Sequence, residues 1–370
     1  MKIAVIADQQ STHAISRVAA MAARGHQVRW VTTFNEIEDS DIVHIHYASN
    51  RLAWSMLMHG NLPPIVVTVM GGDVLDDEQY PLPAIARGLV RMLLGAASLV
   101  TVKTPYLHRV VASKGVTEHR IADIPWGVDS TIFHSRPAVE FRNKYGIPAD
   151  VPVIISPRSL RPFYNHALII EALAALVIKA PQARLLLTRH GADAGYEKKL
   201  CQIAEGYGCS DNIIWVDELS PQEMADAYNA ADLAVSLAPS DGFPQSVWEA
   251  MACGTACLVP DLPHFRGVVS PGRDIAVTSL DATSLAKVLG ELLLVDAKRQ
   301  AIAEAGKLTV MKLGSLSDNA AQLEKAMMTV LQSPAAPLSW GSRLWVRIVF
   351  LLWGLRDSIR ASQSPDGRSN

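Results

Sequence analysis

The sequence is poor in charged and aromatic residues, which make up 19% and 6% of its 370 residues. Its charges nearly cancel, because 34 lysines and arginines against 36 aspartates and glutamates leave a formal net charge of -2. Since this balance cannot produce a broad basic surface, we expect no nucleic-acid partner. Hydrophobic residues reach 49%, a share typical of a globular protein with large buried cores.

Cysteine is scarce as well, and its spacing excludes two kinds of stabilisation. The four cysteines do not form a C-x-x-C motif and have no histidine at the spacing of zinc ligands. We therefore expect neither a disulfide framework nor a zinc site, and a reducing cytoplasm suits the chain best. Cys253 and Cys257 are expected to pack in a core.

Long apolar runs are missing too. No stretch approaches the ~20 residues that a membrane-spanning helix needs. The first apolar run, in "MKIAVIADQQ", stops at Asp8 and is too short for a secretory signal, so we expect a buried strand and a cytoplasmic protein. No G-x-G-x-x-G follows "KIAVI", which argues against a dinucleotide-dependent dehydrogenase.

What the chain does contain is a regular alternation of apolar strands and helical segments. Strands that are apolar throughout and are separated by helices predict parallel sheets covered on both faces. The alternation fades over 126–150 and restarts at residue 151, which predicts an α/β protein with two Rossmann-like, doubly wound domains facing a cleft. Predicted strands are "KIAVI", "VRWVT", "DIVHIHY", "IVVTV", "SLVTV", then "VPVIISP", "ARLLLT", "NIIWV", "ADLAVSL" and "TACLV".

The expected domains are residues 1–150 and residues 151–320, which face each other across the cleft. C-terminal helices should follow over 321–360, with a disordered tail over 361–370. Tryptophans and arginines recur along 338–360, so this part either packs back on the first domain or lies on an anionic membrane surface. The second alternative would put the protein at the inner face of the membrane.

The stretch "PSDGFPQSVWEAMACG", residues 239–254, carries the strongest chemical signal. It follows a predicted strand, and Pro244 suits the first turn of a helix whose free N–H groups would bind an anion. Asp241 would accept hydroxyls of a sugar, and Glu249 would reach the ribose about 10 Å away. An isolated pair of this kind could equally be a loop cap and a solvated helix residue. The expected N–H donors and close-approach residues are Gly242, Phe243, Pro244, Gln245 and Ser246.

The same stretch resembles the signature of the family 4 retaining glycosyltransferases, two-domain enzymes of the GT-B fold. "DIVHIHY", "TVMGGDVL", "IPWGVDSTIFH", "RSLRPFYNHALIIEAL" and "YNAADLAVSLAPS" follow the family's order over nearly the whole chain. The resemblance implies that Asp241 and Arg158 are catalytic, that Glu249 binds the donor ribose, and that Arg158 binds the diphosphate. Phe163 replaces the family's usual lysine, and Arg161 is the nearest cation that could take its place.

First-domain candidates for the acceptor or sugar side are Gly71, Gly72 and Asp73, together with His46 and His13. The family often has a histidine where Met70 stands, so the contacts on this side are less defined. His44 and His46 point to one face of a strand, as a metal site requires, but without an evident third ligand we predict no metal.

The sequence thus predicts a retaining glycosyltransferase that needs no cofactor. It would move a hexose-type sugar from a nucleotide-diphosphate donor to a hydroxyl of a saccharide or lipid-linked acceptor, in surface polysaccharide or glycoconjugate synthesis. A nucleotide-sugar epimerase or phosphorylase of the same architecture stays open, as does a non-enzymatic bilobed sugar-binding protein. The sugar, the base and the acceptor are left undetermined.

Overall fold

A computed structural model describes residues 1–9, 11–59, 62–75 and 83–332. The predicted helix over 338–360 and the predicted tail over 361–370 lie outside these residues. Within them, every helix is too short or too polar to cross a lipid bilayer.

The first domain is built on a parallel six-stranded sheet with the strand order β2-β1-β3-β4-β5-β6. Five strands match the predicted ones, and β6 is an additional strand of three residues. The strands are β1 (Lys2–Ile6), β2 (Gln27–Trp30), β3 (Ile42–His46), β4 (Ile65–Thr68), β5 (Leu99–Val102) and β6 (Ile121–Asp123). The helices are α1 (Thr12–Ala23), α2 (Asn50–Leu57), α3 (Ala84–Ala96) and α4 (Pro105–Ser113).

The second domain repeats the plan with the strand order β12-β11-β10-β7-β8-β9. Its strands are β7 (Val153–Ser156), β8 (Arg184–Thr188), β9 (Ile213–Val216), β10 (Leu233–Val235), β11 (Ala256–Pro260) and β12 (Ala276–Thr278). The helices from here to the end of the described chain are α5 (Val139–Lys144), α6 (His166–Val177), α7 (Ala194–Gly206), α8 (Pro221–Ala230), α9 (Gln245–Ala252), α10 (Ala282–Leu293), α11 (Asp296–Leu313) and α12 (Leu316–Gln332). Two parallel sheets covered by helices confirm the predicted fold class.

Local sequence signals account for where several helices begin and end. The Thr104 hydroxyl accepts a hydrogen bond from the Leu107 N–H at 3.2 Å, and Pro105 occupies the first turn of α4. Gly115, with φ 95°, follows that helix in the left-handed conformation that ends it. Ser11 caps α1 in the same way as Thr104 caps α4.

The change from one core to the other falls earlier than the expected boundary at residue 150. Val128, Phe133, Phe141 and Ile147 are buried in the core of the second domain. The segment 126–150 lacks the regular alternation of strands and helices. Its apolar side chains are nevertheless large enough to fill part of a core, although they are widely spaced in the sequence. This segment therefore belongs with the second domain from about residue 128 onward.

The described chain ends on the first domain. On α12, Ala320, Leu323 and Met327 pack against Ile3 and Ile42, strand residues of the first sheet. Asn319 fixes the start of this helix, because its side-chain NH₂ group donates to the carbonyls of the preceding turn. The second half of the chain thus supplies one layer of the first domain.

Strand order decides where a ligand can sit. It reverses between β1 and β3 in the first sheet, and between β7 and β10 in the second. Ligands of doubly wound sheets bind at the carboxyl ends of strands at such switch points, because neighbouring loops diverge there and leave a crevice. The loops after these four strands are therefore the place to look for a site.

Candidate active site

Arg158 and Asp241 meet at the switch point of the second domain. Arg158 follows β7 and Asp241 follows β10, and the two strands are neighbours. The Arg158 Nη2 atom lies 3.0 Å from Asp241 Oδ2, and both side chains are largely buried, with 14% and 12% exposed. The Arg158 Nη1 atom lies 3.4 Å from the Ser246 hydroxyl. Sequence positions more than 80 residues apart are thus brought into one ion pair.

The Arg158 guanidinium is also stacked, with its central carbon 4.3 Å from the centre of the Tyr164 ring. Burial by itself would lower the pKa of Arg158, but Asp241 and Tyr164 more than offset this and raise it. The arginine is therefore a fixed positive charge. Several of its five N–H donors remain available for a ligand.

The N-terminus of α9 opens beside this ion pair. The helix begins at Gln245, and Pro244 is the residue before it, with an extended ψ of 134°. Pro244 therefore caps the helix instead of lying in its first turn as predicted. Among the described residues, no oxygen accepts a hydrogen bond from the backbone N–H of Gln245 or Ser246. These free donors, with the helix dipole behind them, favour an anion.

Two cavities adjoin the Arg158–Asp241 pair. The larger, of about 620 Å³, lies between the domains, and the smaller, of about 200 Å³, lies over α8 and α9. Arg158, Tyr164 and His13 line both cavities. The larger is also lined by Asp8, His46, Gly72, Lys103, Trp126, Asp241, Gly242, Pro244 and Gln245. The smaller is also lined by His190, Leu219, Pro221, Met224, Ser246 and Glu249.

Glu249 lies in the smaller cavity, apart from Asp241. The Tyr228 hydroxyl donates to its Oε2 atom over 3.5 Å. Burial raises the pKa of Glu249 to about 8, because an ionised carboxylate loses its hydration there. At neutral pH this carboxyl group is therefore mostly protonated until a ligand stabilises the charge.

The glycines that we expected to leave room for a ligand bring the two domains together instead. A Cβ atom added to Gly71 would lie 2.6 Å from the Gly242 nitrogen, and one added to Gly242 would lie 2.9 Å from the Gly71 Cα. The two glycine backbones thus touch across the interdomain gap. Gly242 still borders the larger cavity, as does Gly72, whereas Gly71 is buried in the contact.

Three predicted site residues point away from the cavities. Phe243 is 2% exposed and packs edge-on against Trp248 and Phe265, so its side chain belongs to the core. Asp73 is buried and accepts hydrogen bonds from the backbone N–H groups of Ala48, Met70 and Gly71, which fixes the loop after β4. Arg161 is exposed and lines neither cavity.

The predicted histidines do border the larger cavity. His46 Nε2 lies 3.3 Å from His44 Nδ1, and His44 Nε2 lies 2.8 Å from the Thr68 hydroxyl. Burial, followed by the charge of Arg17, lowers the pKa of His46 to about 3, so its ring is neutral. Burial and the nearby charges of Lys103, Arg158 and His190 lower the pKa of His13 to about 3. No cluster of three metal-binding side chains occurs in the described ranges.

Sequence reasoning missed Lys103, Trp126 and Tyr164. Lys103 directly follows the predicted strand "SLVTV", so its place at the carboxyl end of a strand was an available signal. Tyr164 stands in the same loop as Arg158, but nothing in the sequence indicates its stacking. Trp126 comes after β6, the strand that was not predicted.

A helix N-terminus and an arginine at the switch point, facing a second domain across a cavity, are typical of two-domain α/β proteins that bind phosphorylated ligands. The comparisons with known proteins narrow this class. The family model described as glycosyl transferases group 1 matches residues 138–309. This range contains Arg158, Asp241 and Glu249.

Relatives named as glycosyltransferases match most of the chain. A D-inositol 3-phosphate glycosyltransferase of Geodermatophilus obscurus is 27% identical over 322 residues, which are 80% of this chain and 71% of that protein. The enzyme of the same name from Thermobispora bispora is 26% identical over 79% of this chain and 71% of its own length.

Solved structures share the fold. Sucrose-phosphate synthase from Thermosynechococcus elongatus matches with a TM-score of 0.75 and 18% identity, over 90% of this chain and all of its own. Anabaena HepE in complex with UDP-glucose matches with a TM-score of 0.77 and 15% identity, over 89% of this chain and all of its own. Together with the family match, these likenesses support a GT-B glycosyltransferase.

Proposed function

We propose that the protein is a retaining glycosyltransferase that takes a hexose-type sugar from a nucleotide-diphosphate donor. The observation that carries this proposal is the position of Arg158, which is shared by both cavities, paired with Asp241 and next to the open end of α9. A diphosphate at this point would lie between a nucleoside in the smaller cavity and a sugar in the larger one.

The smaller cavity suits a nucleoside. Glu249 would bind the ribose hydroxyls, and the apolar side chains of Leu219, Pro221 and Met224 offer a surface for the base. The UDP-glucose complex of the Anabaena neighbour makes a uridine nucleotide the first donor to test.

The larger cavity would hold the transferred sugar and the acceptor. When the diphosphate binds, Arg158 would direct N–H donors to phosphate oxygens, and Asp241 would accept sugar hydroxyls. The helix N-terminus and Arg158 stabilise the charge that develops on the leaving diphosphate. Because this stabilisation comes from the protein, we propose that transfer needs no metal ion, and we expect activity to persist in EDTA.

The proposed chemistry is a displacement on one face of the sugar. The bond from the anomeric carbon to the diphosphate oxygen breaks, and the acceptor oxygen forms a bond to the same carbon on the same face. The acceptor proton passes to a phosphate oxygen of the departing nucleoside diphosphate. The proposed acceptor is a hydroxyl of a saccharide or a lipid-linked saccharide, in polysaccharide or glycoconjugate synthesis.

The test is a binding and turnover screen with the full chain. Titration calorimetry with UDP, GDP and ADP should give saturable binding for one of them, and the matching sugar nucleotides should be hydrolysed slowly without an acceptor. Binding of free sugars with no binding of any nucleoside diphosphate would contradict the proposal and favour a sugar-binding protein. Interconversion of the donor sugar without transfer would favour an epimerase.

A further inference from the structure

The first-domain wall of the larger cavity carries a group of basic side chains around one indole ring. The Arg17 guanidinium carbon lies 5.0 Å from the centre of the Trp126 ring, and the Lys103 Nζ atom lies 5.9 Å from it. The rings of His46 and His13 lie 5.5 Å and 6.1 Å away. Helix α1, strand β3 and the ends of β5 and β6 together build this basic wall.

Among the described residues, no acid forms an ion pair with Arg17 or Lys103, the two cations of this wall. Arg17 is 1% exposed, and among the described residues none of its three guanidinium nitrogens has a hydrogen-bond partner. Within the same ranges, Lys103 has neither an ion pair nor a hydrogen bond. Asp241 is engaged by Arg158, and Asp73 accepts three backbone N–H groups. Asp8 also lines the cavity and has an interaction of its own, and among the described residues no ion pair joins it to Arg17 or Lys103.

The histidines do not change this balance. Burial lowers the pKa of both His13 and His46 to about 3, so they add no positive charge and have no negative charge to offer. A buried guanidinium cannot shed its proton, and an unpaired buried charge is unfavourable unless something compensates it. The indole Nε1 of Trp126 and the Nδ1 of His46 also lack hydrogen-bond partners within the part of the chain that the structure describes, so further polar atoms are available beside the two cations.

We infer that this wall binds an anionic group of the acceptor, a phosphate or a carboxylate, through Lys103 with Arg17 behind it. The inference rests on the proposed function and adds the acceptor's chemical class to it. Lys103 would contact the anion, because it borders the cavity. Arg17 is a positioning residue, since it is buried against the Trp126 ring, does not line the cavity and adds positive potential beside Lys103.

The alternative is that Lys103 serves the donor diphosphate. Burial is the main reason that the pKa of Lys103 is lowered. Two charges across the cleft also act on it, since Asp241 raises this pKa and Arg158 lowers it. The donor diphosphate, however, already has Arg158 and the free N–H groups of α9 on the opposite wall. On the first-domain side, the positive charge that the described residues supply comes from the basic wall, which favours the acceptor.

The experiment separates these two ligands. The full-length protein is first saturated with the nucleoside diphosphate that it binds, which fills the phosphate site of the second domain, and is then titrated with inorganic phosphate. We expect the wild type to bind phosphate and Lys103→Met to weaken it at least tenfold, with the nucleotide Kd unchanged. Lys103→Arg should retain binding. Lys325→Met, at an exposed position of α12, is the matched control.

Two results would overturn the inference. One is that the wild type does not bind phosphate in the presence of nucleotide. The other is that Lys103→Met weakens nucleotide binding tenfold and leaves phosphate binding unchanged, which would assign Lys103 to the donor. If no nucleoside diphosphate binds the wild type, the proposed function fails, and the phosphate titration without nucleotide still reports on the basic wall.

The Arg17→Met variant distinguishes a role of Arg17 in anion binding from a purely structural role, because phosphate affinity and Tm are measured together. If Arg17 is retained for anion binding, the variant should bind phosphate at least threefold more weakly while its Tm stays the same or rises. A lower Tm together with unchanged phosphate affinity would show that Arg17 only supports the fold.

Discussion

Arg158 concentrates several interactions in one side chain. It pairs with Asp241, lies within hydrogen-bond distance of Ser246 and stacks on Tyr164. A lysine has the same charge but neither the planar fork nor the stacking face, so it cannot hold all three partners and a phosphate together. The residue type therefore matters here as much as its charge.

We predict that Arg158→Lys weakens nucleoside diphosphate binding roughly 10- to 100-fold. Hydrogen bonds to charged groups contribute about 1.5–3 kcal/mol, and every 1.4 kcal/mol is tenfold in affinity. Titration calorimetry measures the change. Arg161→Lys, in the same loop but outside both cavities, is the control and should bind like the wild type. Equal affinity of Arg158→Lys and the wild type would contradict the site.

Glu249 gives the site a pH dependence. Its carboxyl group is protonated below about pH 8, and only the ionised form can accept hydrogen bonds from both ribose hydroxyls. Nucleoside diphosphate binding should therefore tighten as the pH rises, by about tenfold from pH 7 to pH 9. The phosphates are already ionised over this range, because their last pKa is about 6.

The matched variant is Glu249→Gln, which cannot ionise. Its affinity should be nearly constant between pH 7 and pH 9. A wild-type affinity that does not change, or that falls, over this range would exclude the ribose role of Glu249.

At the scale of elements, the loop before α9 and the loop after β4 meet through two glycines. Gly242 has an ordinary φ, so alanine suits its backbone, and only the contact opposes the added methyl group. That methyl group would collide with the Met70 carbonyl oxygen and with Gly71 of the first domain. The loop that carries Asp241 therefore depends on a glycine for its position against the other domain.

We expect Gly242→Ala to lower the rate of sugar transfer at least tenfold while the affinity for the nucleoside diphosphate changes less than threefold. The proposed nucleotide site lies on the second domain, whereas the collision displaces the first. Steady-state kinetics and calorimetry separate the two effects. Gly88→Ala in α3, where a Cβ would meet open space, is the control. A parallel loss of nucleotide affinity would show that Gly242 acts within the second domain only.

At the scale of the molecule, the crossing of the chain back to the first domain depends on Gly127. Its φ is +69°, and an added Cβ would lie 2.5 Å from the Ser315 carbonyl oxygen and 2.7 Å from the Asn319 amide nitrogen. The Gln245 side chain of α9 donates to the Gly127 carbonyl over 2.7 Å. Gly127 thus contacts both the start of α12 and the side chain of Gln245 in α9, at the point where the chain passes between the domains.

We predict that Gly127→Ala lowers the free energy of unfolding by roughly 2–6 kcal/mol. About 1–3 kcal/mol comes from the left-handed φ and about 1–3 kcal/mol from overpacking. Gly208→Ala has nearly the same φ, +67°, in open space and should show the first cost alone. Urea unfolding of both variants measures the difference, and equal values would mean that the contact with Ser315 contributes nothing.

Much of this architecture was accessible from the sequence. The strands "KIAVI" and "TACLV", the Thr104 cap and the loop position of Asp241 follow from local patterns that any chain with these residues would show. The strands β6 and β12, of three residues each, were missed because little apolar sequence surrounds them, whereas the equally short β10 lies in the longer apolar run "ADLAVSL". Phe133 and Phe141 are buried in the core of the second domain, but no alternation of strands and helices around them predicted this burial.

What the sequence alone determined is the kind of protein: two doubly wound domains, with Arg158 and Asp241 after strands and Glu249 one turn inside the helix that follows. Such assignments rest on residues close together in the chain. The tertiary structure decided which groups meet across long separations: Arg158 with Asp241, Gly71 with Gly242, and Arg17 and Lys103 around Trp126. These contacts depend on how whole elements pack, and packing is not encoded in any short stretch of sequence.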